Sequence, residues 1–265
     1  MKNEYTIATR AALKAGEAIL EIYGEEDFGI ETKADESPLT IADKKAHRII
    51  KEALEETGIP VLSEEGRDIP YEERSLWERF WLVDPLDGTR EFIKRNGEFT
   101  VNIAIIEGNK TEFGVVFAPW INELYVGLPG IGSFRCTDKK HFSQPLDYLV
   151  QFSESLPLEK GEEEHLYRVV ASRSHFNEET ERFINFLELE GKQITLVSKG
   201  SSLKLCMVAT GEADIYPRLG PTMEWDTAAA HAVVKASGKN IYRIENGEEL
   251  KYNKQDLHNP YFFAR

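Results

Sequence analysis

FWLVDPLDGTREF, residues 80–92, decides how the rest of the chain is read. Phe80–Val83 is an apolar run suited to a buried strand, and it stops at Asp84-Pro85-Leu86-Asp87-Gly88-Thr89. Pro85 stiffens the turn and Gly88 lets the backbone approach a ligand closely. Thr89 can open a short helix through Arg90, Glu91 and Phe92. A strand, a glycine-containing turn and a helix start together aim backbone N–H groups at an anion. Asp84 and Asp87, on the same turn, set cation ligands beside that anion.

Two further acidic motifs sit where elements begin or end. Glu64-Glu65 follows the short strand 59–62, and Asp226 stands before TAAAHAVV, a predicted helix over 226–237. In α/β proteins ligands gather outside the carboxyl ends of strands. Each acid has an ordinary alternative. Asp84 and Asp87 could be turn residues bonding their own backbone, Asp226 a helix N-cap, and Glu64 and Glu65 solvated loop charges. Thr40-x-x-Asp43 reads as a capping box with Asp in place of Glu. Their conjunction is what points to a carboxylate-held Mg²⁺ site, because Mg²⁺ takes a few carboxylates plus water and phosphate oxygens. The six histidines form no ligand motif, and Cys136 and Cys206 have no metal-binding spacing.

Outward from these motifs, residues 4–22 form an amphipathic helix through Ala8, Ala11, Ala15, Ile19 and Ile22. A second helix starts from Thr40, with Ala46, Ile49, Ile50, Ala53 and Leu54 on its apolar face. Residues 33–43 between them read as a polar loop. Runs 99–106, 112–118 and 123–128 are β-prone and separated by turn signals, which predicts an antiparallel meander. Residues 137–164 are polar and weakly patterned, so the chain is expected to divide near residue 150. Residues 1–150 would be an α+β half with the main metal site. Residues 151–265 would be an α/β half supplying Asp226 and the specificity residues. In that second half strands at 168–171, 193–197 and 213–217 alternate with helices at 178–189, 201–210 and 226–237.

The chain of 265 residues carries a net charge of −14, which argues against a nucleic-acid polymer as partner. A small polyanion could still bind, given cations and a few placed basic residues. No run is long and apolar enough for a membrane span, the N-terminal residues lack a signal-peptide pattern, and the paucity of cysteine fits a cytoplasmic location.

WLVDPLDGTREF (81–92) and EWDTAAAHAVVKASG (224–238) resemble the two signatures of the inositol monophosphatase superfamily. VLSEEG (61–66) resembles its third metal motif, and the resemblance runs in order along nearly the whole chain. Within the superfamily the sequence is most similar to the CysQ-type 3′(2′),5′-bisphosphate nucleotidases. The matching segments are KADESPLTIAD (33–43), NGEFTVNIAIIEG (96–108), ASRSH (171–175), GSSLKLC (200–206) and ADIYPRLGPTMEWDTAA (213–229). Two departures, Lys239 after Gly238 and Arg90 in place of the commoner Lys, do not touch the chemistry.

The resemblance implies a five-layer αβαβα sandwich of the inositol monophosphatase and fructose-1,6-bisphosphatase type, with two Mg²⁺ ions or three. It also implies inhibition by Li⁺ and a place in sulfur assimilation. The reaction implied is hydrolysis of adenosine 3′,5′-bisphosphate to AMP and phosphate by metal-activated water. Glu64, Asp84, Asp87 and Asp226 match the metal carboxylates, Leu86 a carbonyl ligand, and Gly88 and Thr89 the phosphate cradle. Thr89 matches a hydroxyl that helps activate the attacking water, with Asp43 as its acidic partner and Glu64 in the same machinery. His175, Ser201, Lys204 and Arg218 match positions that contact the remainder of a nucleotide. Leu219 stands where inositol-type relatives carry a carboxylate, and an apolar residue there beside Arg218 favours an anionic substrate over a polyol. The alternatives are an inositol-1-monophosphatase or broad sugar phosphatase, and a non-catalytic Mg²⁺- or nucleotide-sensing protein. A monomer is the expectation and a dimer the alternative.

Overall fold

The computed structural model describes residues 1–25, 29, 31–32, 38–159, 166–171 and 177–265. The chain runs through α1 (Asn3–Tyr23), β1 (Glu31–Thr32), β2 (Pro38–Leu39), α2 (Ile41–Glu55), β3 (Val61–Ser63), α3 (Tyr71–Arg74), β4 (Arg79–Asp87) and α4 (Thr89–Ile93). Then come β5 (Thr100–Glu107), β6 (Lys110–Ala118), β7 (Glu123–Leu128), β8 (Gly132–Cys136), α5 (Leu146–Gln151) and β9 (Glu154–Leu156). The last stretch holds β10 (Tyr167–Ala171), α6 (Glu178–Leu189), β11 (Ile194–Ser198), α7 (Leu203–Thr210), β12 (Tyr216–Arg218), α8 (Glu224–Ala236), β13 (Ile241–Arg243) and β14 (Phe262–Ala264).

Strands β3 to β9 form one seven-stranded sheet in sequence order, parallel between β3 and β4 and antiparallel thereafter. The predicted meander is its centre. One face carries Trp81, Val83, Val101, Ile103 and Ile105, covered by α1 and α2. The other carries Phe80, Leu82, Ala104 and Ile106, covered by α7 and α8. Beyond α7 and α8 lie the parallel pair β10–β11 and the three-stranded sheet β12-β14-β13. Helix α6 packs on the outer side of β11 and β12. The order is helix, sheet, helix, sheet, helix, as the family resemblance implies.

The helices form for local reasons. Ala8, Ala11, Ala15 and Ile19 of α1 are buried at three- and four-residue steps. Helix α2 starts at a capping box: Ala42 N donates to Thr40 Oγ1 at 3.2 Å, and Thr40 N donates to Asp43 Oδ2 at 2.7 Å. Helix α8 is rich in alanine because it lies flush on the sheet. A Cβ at Gly114 would stand 2.2 Å from Ala229 O, and one at Gly127 would stand 2.5 Å from Ala232 C. Only glycine fits at either point.

The sequence reading needs correction in four places. Pro38–Leu39 is not loop but pairs with Glu31–Thr32; residues 33–37 of the expected loop lie outside the described residues. Strand β4 does not stop at Val83 but continues through Asp87. The weakly patterned stretch after Thr137 contains α5 and β9. Helix α7 begins at Leu203, so Ser201 lies ahead of it with φ +55°.

Candidate active site

Alternation along a regular strand would send Asp84 and Asp87 to opposite faces, since they are an odd number of residues apart. The pairing of β4 with β5 resolves this. Asp84 pairs with Asn102 and Asp87 with Thr100, so Pro85 and Leu86 together oppose Val101. This is a β-bulge, in which one surplus residue resets the alternation. Leu86 consequently joins Trp81 and Val83 in the core beneath α1 and α2. Asp84 and Asp87 both turn towards α8, where Asp226 occupies the first turn. Asp84 Oδ1 accepts from Leu86 N at 3.0 Å, which fixes the bulge. Glu64 follows β3, whose parallel pairing with β4 brings it alongside; Glu64 N donates to Val83 O at 3.1 Å.

These four carboxylates burden one another. Asp84 is fully buried, and burial pushes its carboxyl well above the usual range, with Glu64, Asp87 and Asp226 adding to the effect. Asp226 is raised likewise, by burial first and then by Asp87 and Glu64. Among the described residues, no three His, Cys, Asp or Glu side chains close around a common point. The donor chemistry nevertheless fits a hard divalent cation. It is all oxygen, buried acids crowd one another there, and neither Cys nor His is among the cavity-lining residues.

Beside them the chain turns sharply at Gly88, whose φ of +89° favours glycine, and enters α4. Thr89 Oγ1 lies 3.1 Å from Asp43 Oδ1 and 3.2 Å from Leu86 O, so its single proton can serve one of them at a time. The other oxygen of Asp43 is held by Thr40 N and by Thr40 Oγ1 at 2.5 Å. Burial raises the Asp43 carboxyl, and the Thr40 hydrogen bonds oppose that rise. Asp43 is therefore both the capping residue of α2 and the anchor of Thr89.

A cavity of about 290 Å³ opens over this centre, lined by Glu64, Asp87, Gly88, Thr89 and Asp226. Ser201, Lys204 and Arg218 line it as well. Lys204 is buried, which lowers its ammonium to about pKa 8, while Asp87 pulls it back up. Its Nζ donates to Ser201 O at 2.6 Å. Arg218 Nη2 donates to Pro221 O at 2.6 Å, but its buried Nε has no hydrogen-bond partner. A guanidinium and a poorly solvated ammonium lining one cavity suit an incoming anion. Leu219 is buried beside them. Ser201 sends its hydroxyl to Asp87 Oδ2 at 2.6 Å. Asp84, Leu86 and Asp43 lie behind the lining, and His175 lies outside the described residues.

The sequence reading missed Lys199, Tyr216 and Thr222, which also line the cavity. It missed Thr100 and Asn102 as well, buried polar residues on the face shared with Asp84 and Asp87. The alternation of TVNIAIIE, with Thr100 and Asn102 in phase with Ala104 and Ile106, was the available signal.

The sequence profile of the inositol monophosphatase family matches residues 1–261. The 3′(2′),5′-bisphosphate nucleotidase CysQ of Shigella flexneri is 44% identical over 257 residues, which covers 95% of each chain. Its counterpart in Escherichia coli K12 is 43% identical with the same coverage. The crystal structure of CysQ from Bacteroides thetaiotaomicron superposes with a TM-score of 0.89 at 47% identity, covering 98% of this chain and 96% of that one. The extragenic suppressor protein SuhB of Bartonella henselae shares the fold at 22% identity, with a TM-score of 0.74 over 99% of this chain and 93% of its own. Sequence and fold agree with the bulged aspartate pair at the sheet and the aspartate at the head of α8: the chain belongs to the inositol monophosphatase family.

Proposed function

We propose that this protein is a Mg²⁺-dependent 3′(2′),5′-bisphosphate nucleotidase that converts adenosine 3′,5′-bisphosphate to AMP and phosphate. The observation that carries the reading is that acids and cations line one cavity. Glu64, Asp87 and Asp226 line the cavity, with Asp84 behind them, and Lys204 and Arg218 line it too. One phosphate belongs at the carboxylates, and a second anionic group belongs at the cations. The names of the CysQ relatives support the same substrate class.

Metal dependence goes with the family; Mg²⁺ as the ion, and two or three as the number, belong to the proposal. Glu64, Asp84, Asp87, Asp226 and the Leu86 carbonyl would hold the ions, which when bound neutralise phosphate charge, lower the pKa of water and stabilise the leaving oxygen. The protein's own groups do the positioning. Thr89, oriented by buried Asp43, offers its hydroxyl oxygen to an approaching water and can pass its proton to Asp43. The first amides of α4, which have no intrahelical acceptor, face the phosphoryl oxygens. Arg218 and Lys204 hold the second anion and so fix which ester bond reaches Thr89.

The division into residues 1–150 and 151–265 is part of the same proposal, the second half contributing Asp226, Lys204 and Arg218. So are a cytoplasmic location and a monomeric state. No described helix is long and apolar enough to cross a membrane.

The test is a comparison of kcat/KM on adenosine 3′,5′-bisphosphate and on inositol 1-phosphate at saturating Mg²⁺. A preference for the bisphosphate is expected. A preference for the inositol ester would overturn the substrate assignment, and no phosphate release from either would overturn the enzymatic one.

A further inference from the structure

We infer that Thr100, which is not among the cavity-lining residues, is a positioning residue that locks the metal carboxylate Asp87 to the segment carrying Lys204. This rests on the function proposed above and assigns to it a link between the metal carboxylates and the cations for the second anion.

Thr100 and Asn102 are on the α8 face of β5, where the neighbouring in-phase residues Ala104 and Ile106 are apolar. Thr100 is 0% exposed and Asn102 1%. Polar side chains so deeply buried need partners. Thr100 Oγ1 lies 2.6 Å from Ser201 Oγ and 2.8 Å from Ser202 Oγ. Ser202 Oγ in turn donates to Asn102 Oδ1 at 2.9 Å. Ser201 Oγ and Ser202 N both donate to Asp87 Oδ2 at 2.6 Å.

The directions of these bonds follow from what each atom can do. An ionised carboxylate only accepts, so the Ser201 proton goes to Asp87. Ser201 Oγ can then only accept from Thr100, so Thr100 gives it its proton; with the Ser202 proton on Asn102 Oδ1, the 2.8 Å approach of Thr100 and Ser202 is a contact that carries no proton. The chain of hydroxyls is thus polarised towards Asp87, and both donors converge on Oδ2, leaving Oδ1 for the cavity. Ser201 is the junction. Its hydroxyl holds Asp87, and its carbonyl accepts Lys204 Nζ at 2.6 Å. Its φ of +55° is a conformation that a non-glycine residue keeps only when surroundings hold it there. Thr100 supplies that hold from inside the sheet. Moving Ser201 would therefore disturb the metal carboxylate and the anion-binding lysine together.

The experiment compares wild type, Thr100→Val and Thr100→Ser. Valine keeps the shape and removes the hydroxyl; serine restores it. Mg²⁺ binding is measured by calorimetry without substrate. KM and kcat are measured for adenosine 3′,5′-bisphosphate and for a monophosphate lacking the second anion. Thr100→Val is expected to weaken Mg²⁺ binding about five- to tenfold, the value of one hydrogen bond between neutral groups. It should raise KM for the bisphosphate by a similar factor and KM for the monophosphate by less. Thr100→Ser should return both values towards wild type. Wild-type Mg²⁺ affinity and bisphosphate KM in Thr100→Val would overturn the inference, even if the variant were less heat-stable. If Thr100→Val does not fold, Thr100→Ala carries the same two expectations, since it also removes the hydroxyl that donates to Ser201 and leaves the Ser202 N–H on Asp87. Should the wild type fail to hydrolyse the bisphosphate, the proposed function falls, while the Mg²⁺ calorimetry still decides the link to Asp87.

Discussion

Thr89 holds one proton and has two acceptors within reach, Asp43 and the Leu86 carbonyl. If the Leu86 carbonyl is given to a cation, only Asp43 remains, and the hydroxyl is pinned for catalysis. Thr89→Ala should therefore cut kcat by roughly a hundredfold or more, in the range for a lost acid–base partner, with Mg²⁺ affinity changed little. A larger loss of Mg²⁺ affinity than of kcat would remove Thr89 from the water-activating role. Arg218→Ala should lower kcat/KM by about ten- to a hundredfold more for the bisphosphate than for a monophosphate, the cost of losing a charge-assisted pair; equal losses on both would place Arg218 outside recognition of the second anion. At this scale the sequence showed Asp84, Asp87 and Asp226 plainly, because acids at strand ends and helix starts stand out against apolar neighbours. It did not show that Ser201 turns its hydroxyl to Asp87, because a left-handed backbone at a serine leaves no compositional mark.

Helix α8 carries Asp226 at its head, and its height above the sheet sets how far that carboxylate is from Asp84. The height is set by Gly114 and Gly127, which let the helix backbone rest on β6 and β7. A Cβ at Gly114 would meet a backbone carbonyl, which cannot swing aside as a side chain could. Gly114→Ala should therefore destabilise the fold by about 1–3 kcal/mol, the usual cost of overpacking. It should also raise the Mg²⁺ concentration needed for half-maximal activity. Urea unfolding and a Mg²⁺ titration read the two effects separately; a stable variant with normal Mg²⁺ dependence would show that the helix height is not what places Asp226. Most elements were legible from periodicity, α1, α2, β5 to β7 and α6 above all. Among the elements that escaped it are α5 and β9, each with few apolar residues to bury. Leu146 and Leu149 secure α5 and Leu156 secures β9, too sparse a pattern to separate from loop.

Across the whole molecule, the third and fourth layers are joined through His231. The imidazole is fully buried on α8, with Nδ1 2.9 Å from the Tyr252 hydroxyl and Nε2 2.6 Å from Asn240 Oδ1. Asn240 Oδ1 also accepts from Ile241 N at 2.8 Å, so it is the acceptor and His231 carries its proton on Nε2. Burial lowers the His231 pKa from 6.5 to about 4. Between those values the unfolded chain binds the proton more readily than the folded one, so stability falls as pH falls from 6.5 and the loss levels off below about 4. The contribution is at most about 3 kcal/mol. Unfolding by urea at several pH values should show this slope in the wild type and lose that part of it in His231→Gln; an unchanged slope would assign the pH dependence to other groups. The layer order itself followed from family resemblance more than from pattern. Alternating helices and strands in the second half implied one α/β unit, whereas β13 and β14 close a separate antiparallel sheet with β12. Those two strands pair across a long connection and leave only a few residues each to read.

The bulge in β4 has an arithmetic consequence. Two aspartates could share a face of a plain strand with a single residue between them, so the surplus residue is not needed to align them. What it adds is one residue more than the partner strand has, since Pro85 and Leu86 share Val101 as their opposite number. Proline has no N–H to leave stranded, and the Leu86 carbonyl is released from sheet duty to face Thr89. A chain shortened by Pro85 alone would keep both acids pointing at α8 and Leu86 in its core. It would take that carbonyl back into the strand pairing. Length, and not residue identity, is what frees that carbonyl: a substitution at either position would leave it free, and one deletion would not.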